Sequence, residues 1–591
     1  MAPPVYARGR LRVTRACDRC KKRKIRCSGV QPCEKCSSCN QLCAYDAPYA
    51  RGQRLPRVLK GPDFDIPRHA FNLDGASTAA VSPQVSTLEG PSSSNDTIFP
   101  LILARPGEPA RRPTCSPVEL TLTDLDGHYL GPSSEAAFML RVQRSLNPSE
   151  SFSHVSLPFS LSDEQLPVID PSLDCTVPVE LASQLAQAFF EHALPIAQFL
   201  HWPTVEAGLS ELQSPSFSRP QKALMYAIFT VAVPYMGSTP YPIQSSTAQR
   251  YFATSESLLN GHDKPISLAT IQARLCQCIW LLGESRFDQC WDFFGVAARH
   301  ALAIGLHQAS CVHQASTFDS VGIKSYRRTF WALYTLDNLL SITLGRPRVF
   351  NNLDINQDLP SLGEESDNFE VGGRLPNCTV PPAAALATVA YFRLSEITGK
   401  VLQNFCSSHP PSLTEQIDFV MDCSKSLKGW REVYSSILST ENSTNEPLSP
   451  VVQLQADFLN LAHSHTTVLA NRFLLLEKLA PDYDTRNGAD ERRRIDTLVG
   501  ECVTAAMDIV NILSDIDRME RIIDTHWFTP FIALSAMTVL YTYSASQGSE
   551  TDKEYYRSAA ARCQVLLFSL VKEDSLVTKY SLLLEDLRSQ V

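Results

Sequence analysis

Residues 17 to 43, CDRCKKRKIRCSGVQPCEKCSSCNQLC, hold seven cysteines in twenty-seven positions. Cys17 and Cys20 form one CxxC unit and Cys27 follows after a six-residue spacer; Cys33 and Cys36 form a second unit and Cys43 again follows after six. The two halves repeat each other, with Cys39 outside the repeat. Paired CxxC units in a reducing compartment suit zinc, which takes a tetrahedral shell of four thiolates and has no redox chemistry of its own. Six ligands are awkward for one ion. Two tetrahedral ions need eight sulfur bonds, and six thiolates supply them if two sulfurs bridge both ions. A frame with Cys39 in place of Cys36 or Cys43 breaks the repeat and shortens a spacer. A RING-like site needs eight ligands, and no histidine lies in this window.

The spacer between these cysteines is basic, and so are its flanks. Residues 1–60 carry 15 Lys and Arg against Asp18, Glu34 and Asp46, a formal +12. Of the chain's 53 basic and 62 acidic residues, 38 and 59 then lie beyond residue 60, a balance of −21. A basic head on an acidic body points to a polyanion partner for the head alone. A short helix over DRCKKRK, held by metal rather than by an apolar core, must turn Lys21, Lys22, Arg23, Lys24 and Arg26 outward, toward phosphates and base edges. Arg8, Arg10, Arg12 and Arg15 before the cluster, and Arg51, Arg54, Arg57 and Lys60 after it, form two arms able to follow the phosphates on either side. Arg15, Arg51, Arg54 and Arg57 are the arm residues expected to meet that polyanion.

The segment ACDRCKKRKIRCSGVQPCEKC, with its sixth cysteine in LCAYD, resembles the fungal binuclear zinc-cluster transcription factors. The resemblance implies two zinc ions. Cys17 and Cys33 then bridge, Cys20 and Cys27 complete one shell, Cys36 and Cys43 complete the other, and Cys39 is spare. It also implies that the helix enters the major groove and reads a CGG triplet, with Arg23 and Lys24 at the base-contacting positions and Pro32 shaping the connection between halves. Guanine N7 and O6 are both acceptors there, which suits Arg or Lys.

These readers need elements to carry them. Residues 44–117 are rich in Pro, Ser and Gly, as in AVSPQVSTLEGPSSSN, and read as a disordered linker. No apolar heptad follows the cluster, and Pro56, Pro62 and Pro67 interrupt the window where one would lie. Binding as a monomer, or self-association through the C-terminal region, are the two remaining arrangements. Residues 118–175 read as a transition segment, within which VELTLTDLDGHYL is an acidic-apolar run able to contact coactivators but read as a surface loop.

From about residue 176 the pattern turns helical, giving a mostly α fold whose largest part is an all-helical regulatory domain over 176–591. Leu181, Leu185 and Phe189 share one face, and Pro220 marks a helix start in PQKALMYAIFTVAV. SYRRTFWALYTLDNLLSITLGRP sets Phe330, Leu333, Tyr334, Asp337, Leu340 and Leu344 on one face and ends at Gly345 and Pro347, an amphipathic helix with a stop. With FFEHALPIAQFLHWPT, ARHALAIGLHQ and HYLGPSSEAAF, it resembles the regulatory middle region of the same fungal factors. LNLAHSHTTVLANRFLLL departs from that pattern.

The remaining chemistry is sparse. The sequence has no phosphate-cradling glycine loop, no HExxH and no GxSxG. His463 and His465 read as a solvated or core-edge pair rather than a metal site, and Glu364 and Glu365 as solubilising loop residues. The 11 cysteines outside the opening window follow no spacing pattern and read as reduced core thiols. The N-terminus lacks a signal-like apolar run, and ALMYAIFTVAV falls short of the ~20 residues of a membrane span. The expectation is a soluble nuclear protein that is not an enzyme and that binds double-stranded DNA and coactivators, either as a monomer or with a second copy of itself joined through the helical domain. The resemblance implies control of one pathway, a secondary-metabolite gene cluster ahead of a catabolic set. A zinc-dependent protein adaptor, or an enzyme with a zinc targeting module, are the competing classes.

Overall fold

A computed structural model describes residues 17–18, 20, 23, 27–28, 33–39, 43, 121–146, 154–157, 160, 176–193, 199–236, 246–260, 266–314, 320–360, 382–405, 412–438, 450–519, 527–546, 549–570 and 575–590. The chain divides into two compact units, Met1–Glu108 and Pro109–Val591. The expected linker falls outside the described residues, as do Glu364 and Glu365. In the first unit, Asp18 and Cys20 are helical, Arg23 lies in a turn, and helix α1 (Glu34–Ser37) follows Cys33.

The second unit opens with β1 (Thr121–Thr123), β2 (Tyr129–Leu130), α2 (Glu135–Leu146) and β3 (His154–Ser156). The strands form one sheet in the order β2-β1-β3, with Leu122 opposite Leu130 in the antiparallel pair and opposite Val155 in the parallel one. This corrects two expectations. Residues 121–130 of the acidic-apolar run VELTLTDLDGHYL are not a surface loop, since Leu122, Asp124 and Leu130 are buried. Residues 121–146 are not a passage between domains, since α2 packs into the helical unit they introduce. The strands are too short to show an alternation in sequence. The acidic look of the run misleads because Asp124 Oδ1 accepts the His128 N–H at 2.6 Å and Oδ2 meets His128 Nδ1 at 2.9 Å, so its charge closes a turn instead of facing solvent.

Helices follow in sequence: α3 (Val179–Ala188), α4 (Trp202–Glu211), α5 (Arg219–Ala232), α6 (Thr247–Leu259), α7 (Leu268–Gly283), α8 (Phe287–Ala303), α9 (Ala309–Gln314) and α10 (Ser320–Leu344). Then come α11 (Pro382–Phe405), α12 (Leu413–Val433), α13 (Ser435–Leu438), α14 (Pro450–Leu479), α15 (Tyr483–Arg486), α16 (Ala489–Arg518), α17 (Thr529–Ala545), α18 (Glu550–Leu570) and α19 (Leu576–Gln590). Their starts are legible. Ser218 caps α5 by accepting from the Gln221 N–H, with Pro220 in the first turn, where a missing N–H costs nothing. Ser412 and Glu415 form a reciprocal capping box on α12.

Helices α5, α6, α7 and α8 pack in succession, and α14, α16, α17 and α18 form a second run, with α11 joining α10 to α14. One continuous apolar core threads both runs. Helix α17 is buried nearly all round and apolar on every face, as a central helix must be. Helix α16 has the length and mean hydropathy, 1.3, of a membrane span, but half of that window is buried and its apolar stripe packs on α14 and α17.

The predicted face of α10 is buried in full, but so is most of the rest of its C-terminal half, which makes it a core helix rather than an amphipathic one. Asp337 sits on that face because its carboxylate accepts the N–H groups of Val349 at 3.0 Å and Phe350 at 2.9 Å, fixing the chain as it returns past Gly345. Burial pushes the Asp337 carboxyl up to about 6 despite those two donors. Gly345 has φ +70°, and its carbonyl oxygen lies 1.9 Å from where a Cβ on Gly131 would stand, so neither crossing residue can carry a side chain.

Candidate metal centre and nucleic-acid interface

Among the described residues of the first unit, the buried interior consists of sulfur. Cys17, Cys20, Cys33 and Cys36 are fully buried, Cys27 and Cys43 are 4 and 8% exposed, and these six form a hydrophobic cluster of their own with no other member among the described residues. Cys39 is exposed and turned to Ser38 Oγ at 4.0 Å. The frame that uses Cys39 as a ligand therefore fails on position. It lies in the turn after α1, while Cys36, three residues earlier on that helix, faces inward.

The repeat seen in the spacing returns in the backbone. The Cys17 N–H donates to Cys27 Sγ at 3.5 Å and the Cys33 N–H donates to Cys43 Sγ at 3.2 Å, the same step of ten residues in each half. Two further N–H groups, of Cys36 and Ser37, meet the Cys33 carbonyl at 2.9 Å and begin α1. The Cys36 N–H also points at Cys33 Sγ at 3.4 Å, and this donation holds the Cys33 thiol below its ordinary range, to about 6.

Cys17 Sγ lies 3.7 Å from Cys33 Sγ and 3.6 Å from Cys36 Sγ, and Cys20 Sγ lies 3.7 Å from Cys33 Sγ. These are not disulfides, whose sulfurs stand about 2.05 Å apart. They match the edge of a tetrahedron around zinc, since a metal–sulfur bond of about 2.3 Å sets sulfurs of one shell about 3.8 Å apart. The sulfurs of Cys17, Cys20, Cys33 and Cys36 lie within 4.8 Å of one another, and Cys43 Sγ accepts the Cys33 N–H beside them. Cys17 and Cys33 also interact with Cys20 and with each other, so both sulfurs stand between the two halves. The donor set fits two zinc ions sharing two sulfurs.

Of the residues assigned to DNA, Arg23 is described and exposed. Lys21, Lys22, Lys24, Arg26, Arg15, Arg51, Arg54 and Arg57 lie outside the described residues, as does Pro32.

In the second unit His463 and His465 are core groups. His463 stacks on Trp430 with ring centroids 5.3 Å apart, and its Nε2 meets the Leu427 carbonyl at 3.3 Å. His465 is buried edge-on to Phe528 at 5.3 Å. Burial depresses both, His463 to about 4 and His465 to about 3. What the sequence concealed on the same helix is Arg472, buried and bonded at Nη1 to Glu135 Oε2 at 2.6 Å and at Nη2 to the Ser133 carbonyl at 2.6 Å. No local signal links residues 337 positions apart.

Residues 15–51 match the Fungal Zn(2)-Cys(6) binuclear cluster domain, and residues 186–446 match the Fungal specific transcription factor domain. The chain is 23% identical over 509 residues to the transcriptional activator protein acu-15 of Neurospora crassa, covering 80% of this chain and 52% of that one. It is 26% identical over 445 residues to activator of stress genes 1 of Saccharomyces cerevisiae, covering 60% and 44%. To the thiamine repressible genes regulatory protein thi1 of Schizosaccharomyces pombe it is 22% identical over 568 residues, covering 85% and 68%. The chain thus spans about half the length of the first two of these relatives. No solved structure matches it.

Proposed function

Because the chain carries both matched domains and so belongs to the fungal binuclear zinc-cluster transcription factors, we propose that it binds double-stranded DNA sequence-selectively at CGG-type sites and regulates the genes beside them. The cluster domain binds two zinc ions and the matched relatives are transcriptional regulators, not enzymes. We assign Cys17 and Cys33 as the bridging sulfurs, Cys20 and Cys27 as the rest of one shell, and Cys36 and Cys43 as the rest of the other. The bound metal supplies folding free energy to a small module whose buried groups, among the described residues, are the six cysteines. The observation that carries the proposal is that all six repeat cysteines face inward and the described spacer residue Arg23 faces out. With the interior given to sulfur, a basic spacer has only the outer surface to occupy.

In this reading Arg23 and Lys24 address guanine N7 and O6 in the major groove, while Lys21, Lys22, Arg26, Arg15, Arg51, Arg54 and Arg57 hold phosphates and set the register. The protein acts in the nucleus with coactivators, on the genes of one pathway, a secondary-metabolite cluster ahead of a catabolic set. Replacing Lys24 with Ala tests the base-reading role. Binding to a CGG duplex should weaken by about 1–3 kcal/mol while binding to random DNA changes little, because a phosphate contact carries no sequence information. A mobility shift at fixed salt reads both, and equal loss on the two DNAs would refute the assignment. Genome-wide occupancy names the pathway.

A further inference from the structure

Between β1 and β2 the chain turns through Asp124, Leu125, Asp126 and Gly127, and this tip has little apolar packing of its own, since Leu125 is 65% exposed and Tyr129 46%. Polar bonds hold it instead. Asp124 is fully buried, accepts the His128 N–H and pairs with His128 Nδ1, while Asp126 accepts from Ser160 Oγ. His128, with a side chain 37% exposed, turns its far nitrogen to a different element: Nε2 stands 4.0 Å from Oδ2 of Asp288, in the first turn of α8. The other oxygen of that carboxylate is taken. Arg346, in the segment after α10, donates to Asp288 Oδ1 at 2.7 Å and lies 4.6 Å from the centre of the Trp291 ring. One carboxylate of α8 thus faces a guanidinium and an imidazole, and imidazole is the side chain that changes charge near neutral pH.

We propose that His128 is a pH-sensitive latch, which fastens the β1–β2 hairpin to α8 while Nε2 carries a proton and releases it when that proton leaves. Nδ1 keeps its hydrogen bond to Asp124 in either state, so the hairpin retains its own turn. What changes is the contact across to α8, where an N–H⁺ beside a carboxylate attracts it and a lone pair in the same place repels it. The charges that act on the imidazole come from three elements: Asp124 on the hairpin, Asp288 on α8 and Arg346 after α10. Asp126 adjoins them on the hairpin, and α19 brings up Tyr580, which interacts with Asp124 and Arg346, and Lys579, whose Nζ donates to the Ser160 carbonyl at 2.9 Å. The hydrogen bond from Asp124, with the charges of Asp124 and Asp288, outweighs burial and Arg346 and holds the imidazole above its ordinary 6.5. The folded chain therefore takes this proton more readily than the unfolded one, so the latch contributes in full below about pH 6.5 and is lost as the pH rises through the folded value. Its sign is opposite to that of His463 and His465, which burial depresses. Since β1 is the first described element of its unit, the latch sets how firmly the leading end of that unit is closed.

The test is hydrogen exchange by mass spectrometry on the full zinc-loaded chain from about pH 6 to about 8.5, each rate corrected for the intrinsic pH dependence of amide exchange. In peptides covering 121–130 the opening constant should rise with pH by at least about threefold, since each unit by which the folded value exceeds the unfolded one is worth tenfold. Peptides from α17, which report opening of the helical core, should not share the rise. His128→Gln keeps a donor for Asp124 but has no proton to lose, so its corrected exchange should be flat and as fast at the low end as the wild type is at the high end. Asp288→Asn removes the carboxylate across from Nε2 and should leave a smaller rise, the part owed to Asp124. A flat or falling wild-type profile, a rise that His128→Gln retains, or a rise shared equally by α17 would overturn the proposal. So would an Asp288→Asn profile identical to the wild type, because the proton would then act within the hairpin and not on its contact with α8.

Discussion

Arg472→Met removes the buried cation that joins α14 to the start of α2. In the native chain the guanidinium bonds Glu135 Oε2 at 2.6 Å and the carbonyls of Ser133 at 2.6 Å and Ser134 at 3.4 Å, and it lies 4.8 Å from the centre of the Phe138 ring. The two side chains are 2 and 7% exposed, and Glu135 Oε1 has no hydrogen-bond partner among the described residues. The variant leaves a buried carboxylate without a partner, a loss of about 3–5 kcal/mol. Since each 1.4 kcal/mol is tenfold in an equilibrium constant, α2 should open about 10²–10⁴ times more often. Hydrogen exchange by mass spectrometry on peptides covering 131–146 reads that opening directly, because exchange of a protected helix follows its local opening free energy. Adding Glu135→Leu removes the stranded charge, and the double variant should regain most of the protection, since an apolar pair of similar volume replaces a buried ion pair at little cost. Unchanged exchange in Arg472→Met would show that α2 is held by apolar packing alone. A double variant as open as the single would show that the stranded charge is not the cause.

In the cluster, Cys36→Ser should lose zinc and DNA binding together, because it opens a closed shell whose metal supplies ~10–16 kcal/mol to a module of this kind. Cys39→Ser, on the exposed turn, should keep two zincs; native mass spectrometry on the full chain decides, and the reverse result would overturn the ligand assignment. In the helical unit, His463 and His465 are depressed to about 4 and 3 from an unfolded value near 6.5, so below that value the unfolded chain binds protons that the folded chain refuses. Their stabilisation is complete above about pH 6.5 and is lost as the pH falls toward 4 and then 3. Each should remove about 1 kcal/mol between pH 7 and 5.5, seen as a lower urea midpoint by far-UV circular dichroism. His465→Leu should remove about half of that loss; Asp337, held up at about 6, works the other way over this range by less than one histidine's share, so a midpoint that does not fall would refute the account.

The cluster was legible because its information is local. Cysteine spacing is written in consecutive residues, metal geometry admits few solutions, and the ten-residue step of the Cys17–Cys27 and Cys33–Cys43 bonds is the spacing itself in another form. Helix starts were legible for the same reason at Pro220 and in the pattern that ends at Gly345. The failures sit where a residue's role depends on a distant partner. Asp124 looked like surface acid and is a buried turn closure. Residues 121–146 looked like a passage and are core, because what holds Glu135 is Arg472, far along the chain. Helix α10 looked one-sided because its buried Thr329, Thr335 and Asn338 score as polar, although Thr335 Oγ1 donates to Ser395 Oγ at 3.0 Å and Asn338 Nδ2 to the Ser395 carbonyl at 2.8 Å. Hydrogen-bonded core polar groups are invisible to a pattern that counts apolar residues.

The division of charge bears on how a small reader finds its sites. A CGG triplet, the word proposed above, recurs about once in 32 positions when both strands are counted, so for such a reader the ratio of specific to competing sites is poor however good each contact is. Adding more basic surface would not help, because phosphate contacts raise affinity for all sequences alike. The helical unit avoids that route, its residues belonging to a stretch that balances at −21 beyond residue 60, which leaves the basic head to carry the attraction to DNA. What raises selectivity without raising nonspecific affinity is a second reader in the same particle, for two words at a fixed separation recur only about once in a few thousand positions. On this argument an acidic helical unit serves sequence choice by adding no general attraction to phosphates of its own.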